Sequence, residues 1–426
     1  MKLLENFLIQ SKNIDRDSKL WNMIASMFMA FQSVVILIVM SHFVGPVAAG
    51  IYTMGNTDAN LFLSVGKYNV RYFQVSDVQR EFNFREYRIA RIISCAAMAL
   101  ISTVYVLFVA NANGYSAEKT NIIIWMCLYK LPDAFEDVYY GDYQKGERLD
   151  VASKAMALRL ILTIIILCVI VIITGSLLKG VVISTIFSVL FMILLLYKTK
   201  DFITEHKAPK FGKALRLLLV TGPLALAGFL TIYISAAPRN SIDRYLDDIK
   251  QGIYGYISMP VFVVQLLVLF IFNPILYKIS CMWDEGRVDD FVKESLKQMA
   301  YTIILTLVCI AGAWLLGIPV LSILYNTDLK PFKTDLMIMM VGSGFQGFIG
   351  LLVNLLTIMR HQNQILLGYA IVSVIGFLAC NKAVQAGGIR GAVLIYLCLL
   401  IILTLIFAVE MIIGISQKKK MLNKVA

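Results

Sequence analysis

Long apolar segments alternate with short polar ones from one end of the chain to the other. About twelve segments reach the roughly 20 apolar residues that a helix needs to cross a bilayer. We place these spans at 20–44, 47–69, 89–110, 119–140, 153–177, 180–198, 214–237, 252–279, 298–322, 335–359, 364–382 and 390–416. Lipid offers no partner to backbone polar groups, and a barrel would show short alternating strands instead. The pattern therefore predicts an all-α integral membrane protein with about twelve transmembrane helices.

Basic residues collect in alternate connections between these spans. Of the 39 Lys and Arg residues, 30 lie in the N-terminal tail, in every second loop or in the span ends beside it, and in the C-terminal tail. The positive-inside rule then places both termini in the cytoplasm. The net charge of +12 is interpreted as topology rather than as nucleic-acid binding, because the charges flank apolar runs and form no single patch. These loops should favour anionic lipid head groups.

The spans fall into two halves of six. A basic stretch near the chain midpoint predicts lobes at 1–199 and 214–426, joined by a cytoplasmic linker at 200–213. Residues 50–52 and 252–254 both read Gly-Ile-Tyr, each at the start of the span that opens after an outer turn. Six spans per lobe make the lobes parallel, and transporters of that design place the substrate path between their halves.

The second span carries a stripe of polar residues at helical spacing. The stripe consists of Tyr52, Asn56, Asn60, Ser64, Lys67 and Arg71. Steps of three and four place these side chains on one face, and such a face is costly against lipid. We therefore expect the stripe to face a wet cavity or another helix. Lys67 and Arg71 would suit an anionic head group entering from the cytoplasm, although both could instead only snorkel to the interface.

Acidic residues also lie within the predicted spans. Asp58 points away from the stripe, and it is either a proton or cation site or a structural partner for a neighbouring helix. The charged end of the fourth span, with Asp133, Glu136 and Asp137, is interpreted as a solvated helix end rather than as a catalytic pair. No nucleotide-binding loop, metalloprotease motif or nucleophile elbow is present. We expect a protein that is not an enzyme, with no cofactor and no metal site.

The seventh and eighth spans supply further candidates in the second half. Arg239 and Arg244 follow the outer end of the seventh span, and an arginine fork suits phosphate recognition. The alternative is an internal ion pair with Asp243. Gln265 adds an amide to the eighth span, which Pro260 should bend.

Three motifs carry a resemblance to a known family. Residues 71–77 read Arg-Tyr-Phe-Gln-Val-Ser-Asp, residues 140–144 read Tyr-Gly-Asp-Tyr-Gln, and residues 237–246 read Ala-Pro-Arg-Asn-Ser-Ile-Asp-Arg-Tyr-Leu. Their order and placement resemble the polysaccharide-transporter branch of the flippase superfamily that also contains the multidrug and toxin extrusion (MATE) antiporters. The resemblance covers nearly the whole chain, although many family members have fourteen spans rather than about twelve.

The resemblance implies two six-helix lobes around a cationic cavity that works by alternating access. The implied substrate is an undecaprenyl-diphosphate-linked oligosaccharide, flipped from the inner to the outer leaflet of the bacterial plasma membrane. Such lipids are precursors of O-antigen lipopolysaccharide, capsule or teichoic acid, and glycan-assembly enzymes are the partners to consider. Arg71 would line the cytoplasmic part of the cavity, and Arg239 would lie at its outer end.

Two other functions remain open at this point. A cation-coupled exporter of small molecules would share the MATE-like fold, and acidic cavity residues would favour it, whereas cationic residues favour the flippase. A membrane-embedded glycan polymerase or acyltransferase should show a sizeable outer loop with catalytic residues. This chain has no such loop between its spans.

Overall fold

The structure, a computed structural model, describes residues 2–77, 81–203, 208, 210–272 and 275–425. Within these residues the chain forms helices and no β-strand. The chain divides into two units, Met1–Ile232 and Tyr233–Ala426. The division falls inside one long helix, and the lobe boundaries expected at 199 and 214 stay a prediction.

The helices of the first unit run in an order that follows the predicted spans. They are α1 (Lys2–Ile9), α2 (Ile14–Phe43), α3 (Pro46–Lys67), α4 (Val70–Ser76), α5 (Phe84–Asn113), α6 (Ala117–Tyr129), α7 (Leu131–Phe135), α8 (Asp137–Lys145), α9 (Leu149–Thr174), α10 (Leu177–Lys198) and the first part of α11 (Phe211–Tyr245). Helix α3 packs against α2, α5 and α6, and α9 packs against α2 and α10. The polar helix α3 is thus surrounded by other helices of its unit.

The second unit continues from α11 to the end of the chain. Its helices are α12 (Asp248–Ser258), α13 (Val261–Phe272), α14 (Leu276–Asp284), α15 (Val288–Gly312), α16 (Ile318–Tyr325), α17 (Lys333–Ile358) and α18 (Gln362–Val425). Helix α15 runs into α16 through a π-helical segment at Ala313–Gly317. Helix α18 is two helices joined at Gly388, where φ is 57°.

The predicted spans agree with these helices. Eight helical stretches of the described chain are long and apolar enough to cross a membrane. One of them contains the eleventh and twelfth predicted spans, on either side of Gly388. The second predicted span is helix α3, which is more polar, and the fourth and eighth are divided into shorter helices. The prediction of an all-α membrane protein is confirmed.

The fourth and eighth predicted spans and the end of the seventh depart from a plain helix. The eighth span breaks between Ser258 and Val261, at the proline that the sequence expects to bend it. The fourth span breaks at Lys130 and restarts with Pro132 in the first turn of α7, where the missing N–H costs nothing. Helix α11 continues to Tyr245, so the outer loop expected from residue 238 is helical.

The N-terminal segment is tied to the start of α9. Leu8 is fully buried, and the Arg148 guanidinium donates to the Ile9 carbonyl oxygen at 2.7 Å. Lys154 donates to the Gln10 carbonyl oxygen at 3.0 Å, and Ser11 donates to Asp150 at 2.6 Å. These contacts fix the turn between α8 and α9, which borders the site described next.

Candidate functional site

A cavity of about 640 Å³ lies beside the C-terminal half of α3, within the first unit. We call it the α3 cavity. Its lining consists of Asn22, Met29, Asn60, Leu63, Ser64, Lys67, Asn69, Arg71, Tyr72, Val75, Asp137, Gln144, Leu149, Gly228 and Ile232. The structure thus brings together four residues of the predicted stripe, Asn60, Ser64, Lys67 and Arg71. Among the described residues of this wall, amides, two hydroxyls and two cations accompany one carboxylate, that of Asp137.

The junction between α3 and α4 turns through two residues in the left-handed region. Tyr68 has φ 48° and Asn69 has φ 50°, a conformation that costs free energy for any residue other than glycine. The Asn69 side chain donates from Nδ2 to the Leu224 carbonyl oxygen of α11 at 2.7 Å. This bond holds the turn against α11, and Arg71 in the first turn of α4 lines the cavity.

Arg71 is held by two acceptors on α8. Its Nη1 lies 3.3 Å from Asp137 Oδ1, and its Nη2 donates to Gln144 Oε1 at 3.1 Å. The neighbouring Gln74 donates to the Val138 carbonyl oxygen at 3.0 Å. Two of the three motifs that carry the family resemblance, at 71–77 and 140–144, are therefore partners in space.

Asp137 also accepts from a second arginine that lies behind the cavity wall. Arg91 Nη2 lies 2.9 Å from Asp137 Oδ2, and Arg91 Nη1 donates to the Gly66 carbonyl oxygen at 2.6 Å. The Arg91 side chain is fully buried, whereas 27% of the Arg71 side chain is exposed. One carboxylate thus serves two guanidinium groups. With Lys67 on the same wall, cations outnumber carboxylates here, and the potential favours an anion.

The last residue of the first motif organises the segment after α4. The Asp77 carboxylate accepts from the Glu81 N–H at 2.9 Å, the Phe82 N–H at 3.2 Å and the Tyr87 hydroxyl at 2.9 Å. Burial alone would raise the pKa of Asp77, but these hydrogen bonds outweigh it and hold the pKa below its ordinary value. Lys145 at the end of α8 donates to the Asp77 carbonyl oxygen at 3.1 Å and joins this segment to the cavity wall.

A second network of charges lies deeper in the same unit. Arg159 of α9 donates from Nε to Glu136 Oε2 at 2.6 Å, pairs with Asp133, and donates to Ser188 Oγ at 3.0 Å. Lys130 lies 3.3 Å from Asp133. All four charged residues are buried. The interpretation of this acidic run as a solvated helix end is therefore wrong, because cations from within the apolar segments neutralise it.

The other end of the predicted stripe borders a much smaller cavity. Tyr52 and Asn56 line a space of about 10 Å³ together with Gln32 and Lys130. A single water molecule needs roughly that volume. Tyr52 is almost fully buried, as is Tyr254, the last residue of the matching Gly-Ile-Tyr sequence in the second unit.

The remaining sequence candidates lie elsewhere. Asp58 is buried in the first unit and is not among the residues that line the α3 cavity. In the second unit, Arg239 donates to Ser258 Oγ at 2.8 Å, and its guanidinium lies 5.8 Å from the centre of the Tyr254 ring. Arg244 is exposed on α11, and Gln265 is half-buried on α13. The assignment of these residues to a substrate path stays a prediction.

Sequence reasoning misses the partners that hold Arg71. It places Asp137 at a solvated helix end, and it assigns no role to Arg91. One signal points to the pairing, because Arg91 and Arg159 fall inside the predicted spans 89–110 and 153–177. Charges inside apolar segments nearly always pair. The acidic run at 133–137 is the obvious source of partners.

No family model matches the chain. A relative named capsular polysaccharide biosynthesis protein CapF, from Staphylococcus aureus, is 26% identical over 259 residues. The match covers 60% of this chain and 64% of the relative, which is less than two thirds of the relative's length.

Solved transporter structures match the chain over nearly its whole length. The lipid II flippase MurJ in an inward closed conformation has a TM-score of 0.72 at 13% identity, over 93% of this chain and 89% of that one. An inward-facing multidrug resistance MATE family transporter has a TM-score of 0.64 at 15% identity, over 94% and 99%. A transporter from Pyrococcus furiosus, of the same superfamily as that MATE protein, has a TM-score of 0.62 at 14% identity, over 97% and 98%.

The chain has the fold of the MOP (multidrug/oligosaccharidyl-lipid/polysaccharide exporter) superfamily transporters. This confirms the MATE-like fold that the resemblance drawn from the three motifs implies. Its eight long apolar helical stretches make it a multi-pass membrane protein. At these identities the structural likeness establishes the fold, and the substrate is a separate question.

Proposed function

We propose that this protein is a flippase that moves a lipid-linked oligosaccharide from the inner to the outer leaflet by alternating access. The lipid carrier is an undecaprenyl diphosphate or a close relative, and the product serves cell-surface polysaccharide synthesis. The match to a capsular polysaccharide biosynthesis protein and the fold shared with a lipid II flippase support this class of substrate.

The observation that carries the proposal is the chemistry of the α3 cavity wall. Lys67 and Arg71 can pair with phosphate oxygens, and Arg71 offers the planar fork that binds them in two places. Asn60, Asn69 and Gln144 offer amides to sugar hydroxyls. The volume of about 640 Å³ is in the range of small-molecule sites and suits a head group rather than a lipid tail.

The physical barrier to flipping is the loss of hydrogen-bond partners for the head group in hydrocarbon. Each polar group that is left unpaired costs roughly 4–8 kcal/mol on a water-to-alkane scale. A wet cavity lined by amides and cations replaces those partners. The lipid tail stays in the bilayer, where it loses nothing by the crossing.

The proposed orientation follows from the alternation of charge. Both termini lie in the cytoplasm of a bacterial cell, and the Lys67 end of α3 faces the inner leaflet. The substrate is then made on the side where these cations lie. Membrane lipids surround the spans, and enzymes of glycan assembly are the candidate partners on either side.

A flipping assay on reconstituted vesicles tests the proposal. Arg71→Ala should lower the rate for an undecaprenyl-diphosphate-linked oligosaccharide by about tenfold, the factor that a charge-assisted hydrogen bond is worth. Arg71→Lys should retain part of the rate, because it keeps the charge but loses the fork. Arg239→Ala should also lower the rate, because we assign this cation to the outer end of the substrate path.

The matched control is Arg287→Ala, which removes one exposed arginine of the second unit that pairs only near its own turn. This variant should transport at the wild-type rate. Full transport by Arg71→Ala, with normal insertion into the vesicles, would remove the cationic wall from the mechanism and with it the basis of the proposal.

A cation-coupled exporter of small molecules is the second candidate. The buried carboxylate of Asp58 favours it, since a carboxylate at this depth can bind a proton or a cation. The cavity wall argues against a cationic substrate, because its charge is positive. Efflux of organic cations from cells, abolished by Asp58→Asn and untouched by Arg71→Ala, would select this candidate instead.

A further inference from the structure

The two arginines that share Asp137 differ in burial and in the length of their contacts with its carboxylate. The contact of Arg91 with Asp137 Oδ2 is 2.9 Å, and the Arg91 side chain is fully buried. The contact of Arg71 with Asp137 Oδ1 is 3.3 Å, longer than the roughly 2.7–2.9 Å of a strong charge-assisted bond. Arg71 also faces the α3 cavity, whereas Arg91 does not.

This asymmetry makes only one of the two pairs exchangeable. If Arg71 swings away, Asp137 keeps its pair with Arg91 and no buried charge is left alone. If Arg91 were to leave, its guanidinium would lose its counter-ion in a site with no access to water. The structure is thus arranged so that Arg71 can leave Asp137 at low cost.

We propose that Asp137 is the counter-ion that a diphosphate displaces from Arg71. This inference rests on the proposed function and adds a positioning residue to it. In the structure, Arg71 contacts Asp137 and Gln144. On binding, its guanidinium transfers to the phosphate oxygens, and Asp137 remains neutralised by Arg91. No bond other than hydrogen bonds is made or broken.

The exchange sets the affinity of the site. Arg71 gives up two acceptors for each diphosphate that it binds, so only the difference between the two sets of contacts contributes to affinity. The Asp137 carboxylate also repels the incoming anion. Both effects keep binding modest, and a flippase needs this because a lipid that is held tightly on one side is not released on the other.

Calorimetric titration of the purified full-length protein in detergent tests the exchange. The probes are farnesyl diphosphate, which carries a diphosphate on a short isoprenoid without the sugar, and inorganic pyrophosphate. Asp137→Asn should lower the Kd for farnesyl diphosphate by about tenfold, because Arg71 is then released and the repulsion is gone. Gln144→Glu should raise the Kd by about the same factor, because a second carboxylate then competes for Arg71.

Asp137→Asn removes the counter-ion of the buried Arg91. If that variant does not fold for this reason, Gln144→Glu still tests the exchange. Gln144 is half-buried and bonds to Arg71 rather than to Arg91. The Arg71→Ala background is the matched control. In that background, Gln144→Glu should shift log Kd by less than half of the shift that it causes in the wild type, because the Arg71 guanidinium that exchanges is absent. Equal effects in both backgrounds would show simple repulsion and overturn the exchange.

The remaining outcomes separate this inference from the function it rests on. If farnesyl diphosphate binds tightly and Gln144→Glu leaves its Kd unchanged, the exchange alone is overturned. No binding of either diphosphate by the wild type overturns both. Equal response of pyrophosphate and farnesyl diphosphate to the variants supports recognition of the diphosphate itself, and a response confined to farnesyl diphosphate supports recognition of a lipid-linked one.

Discussion

Gln74 lies directly across the backbone of Gly141. A methyl group on Gly141 would stand 2.5 Å from Gln74 Oε1 and 3.2 Å from Arg71 Cγ. Gln74 is fully buried, and its amide is bonded to the Val138 carbonyl oxygen, so it has little freedom to move aside. The absence of a side chain at Gly141 is therefore what allows Arg71 to pass over α8 and reach Gln144.

Gly141→Ala should displace both side chains. We expect a loss of about 1–3 kcal/mol in the free energy of unfolding, as for other overpacked sites, and a larger fractional loss of transport. Thermal unfolding in detergent and the vesicle assay measure the two effects. Gly312→Ala is the control, because a Cβ there meets nothing within 4 Å. An unchanged transport rate in Gly141→Ala would show that the route of Arg71 over α8 is not needed.

Arg159→Met should destabilise the protein more than Gly141→Ala does. It leaves the buried carboxylates of Asp133 and Glu136 with too few cations, and breaking such a network costs about 3–5 kcal/mol. The midpoint of thermal unfolding should fall strongly. Adding Glu136→Gln to Arg159→Met should recover part of the loss, since one of the unpaired charges is then gone. A double variant no more stable than the single one would contradict a charge-balanced network.

Gly228→Ala should break the contact that holds the α3–α4 turn on α11. The new Cβ would stand 2.8 Å from Asn69 Nδ2, the atom that donates to the Leu224 carbonyl oxygen. Loss of this hydrogen bond is worth about 1 kcal/mol, and it should slow transport because both residues line the α3 cavity.

A pair of variants isolates this contact. Asn69→Gly keeps a backbone that tolerates φ 50° but removes the side chain, so adding Gly228→Ala to it should cost nothing further. Gly350→Ala, in open space on α17, is the matched control and should behave as the wild type. Simple additivity of the two changes would argue that Gly228 acts through something other than Asn69.

Asp77 should give stability a dependence on acid pH. Its pKa in the folded protein is lower than the value of about 3.9 for an unfolded chain, so its stabilising effect is complete above roughly pH 5. The effect is lost as the pH falls through the folded pKa. Asp77→Asn should therefore unfold at a lower temperature than the wild type at pH 7, and the difference should shrink below about pH 4. If the difference in unfolding temperature between the wild type and Asp77→Asn stayed constant from pH 7 to pH 3, the loss of stability would come from the shape of the new side chain rather than from the lost charge.

The transmembrane architecture could be predicted from the sequence because it depends on local properties. A bilayer requires long apolar helices, so hydropathy locates them, and Pro260 locates a break without any tertiary information. The cationic end of α3 could be found in the same way, since Lys67 continues a periodic polar face, whereas Arg71 lies on α4, beyond a turn that periodicity does not predict. The end of α11 could not, because residues 238–245 contain a proline and several charges, and yet the helix continues through them.

The partners of the charges could not be predicted in this way. Arg71 meets Asp137 and Gln144 across 66 and 73 residues of sequence, and Arg159 meets Glu136 across 23. Helical periodicity states which face of a helix is polar but not which face of another helix lies opposite. The sequence therefore predicts a solvated helix end for the acidic run at 133–137, although the fold buries it.

The sequence by itself determined that the chain crosses a membrane many times as helices, because the cost of exposing backbone groups to lipid leaves no other solution. It also determined which helix is polar. Only the tertiary structure decided which charges neutralise each other, because pairing depends on distances of a few ångströms between segments far apart in the chain. That pairing leaves Arg71 exposed at a cavity wall while Arg91, which shares its carboxylate, is buried behind it.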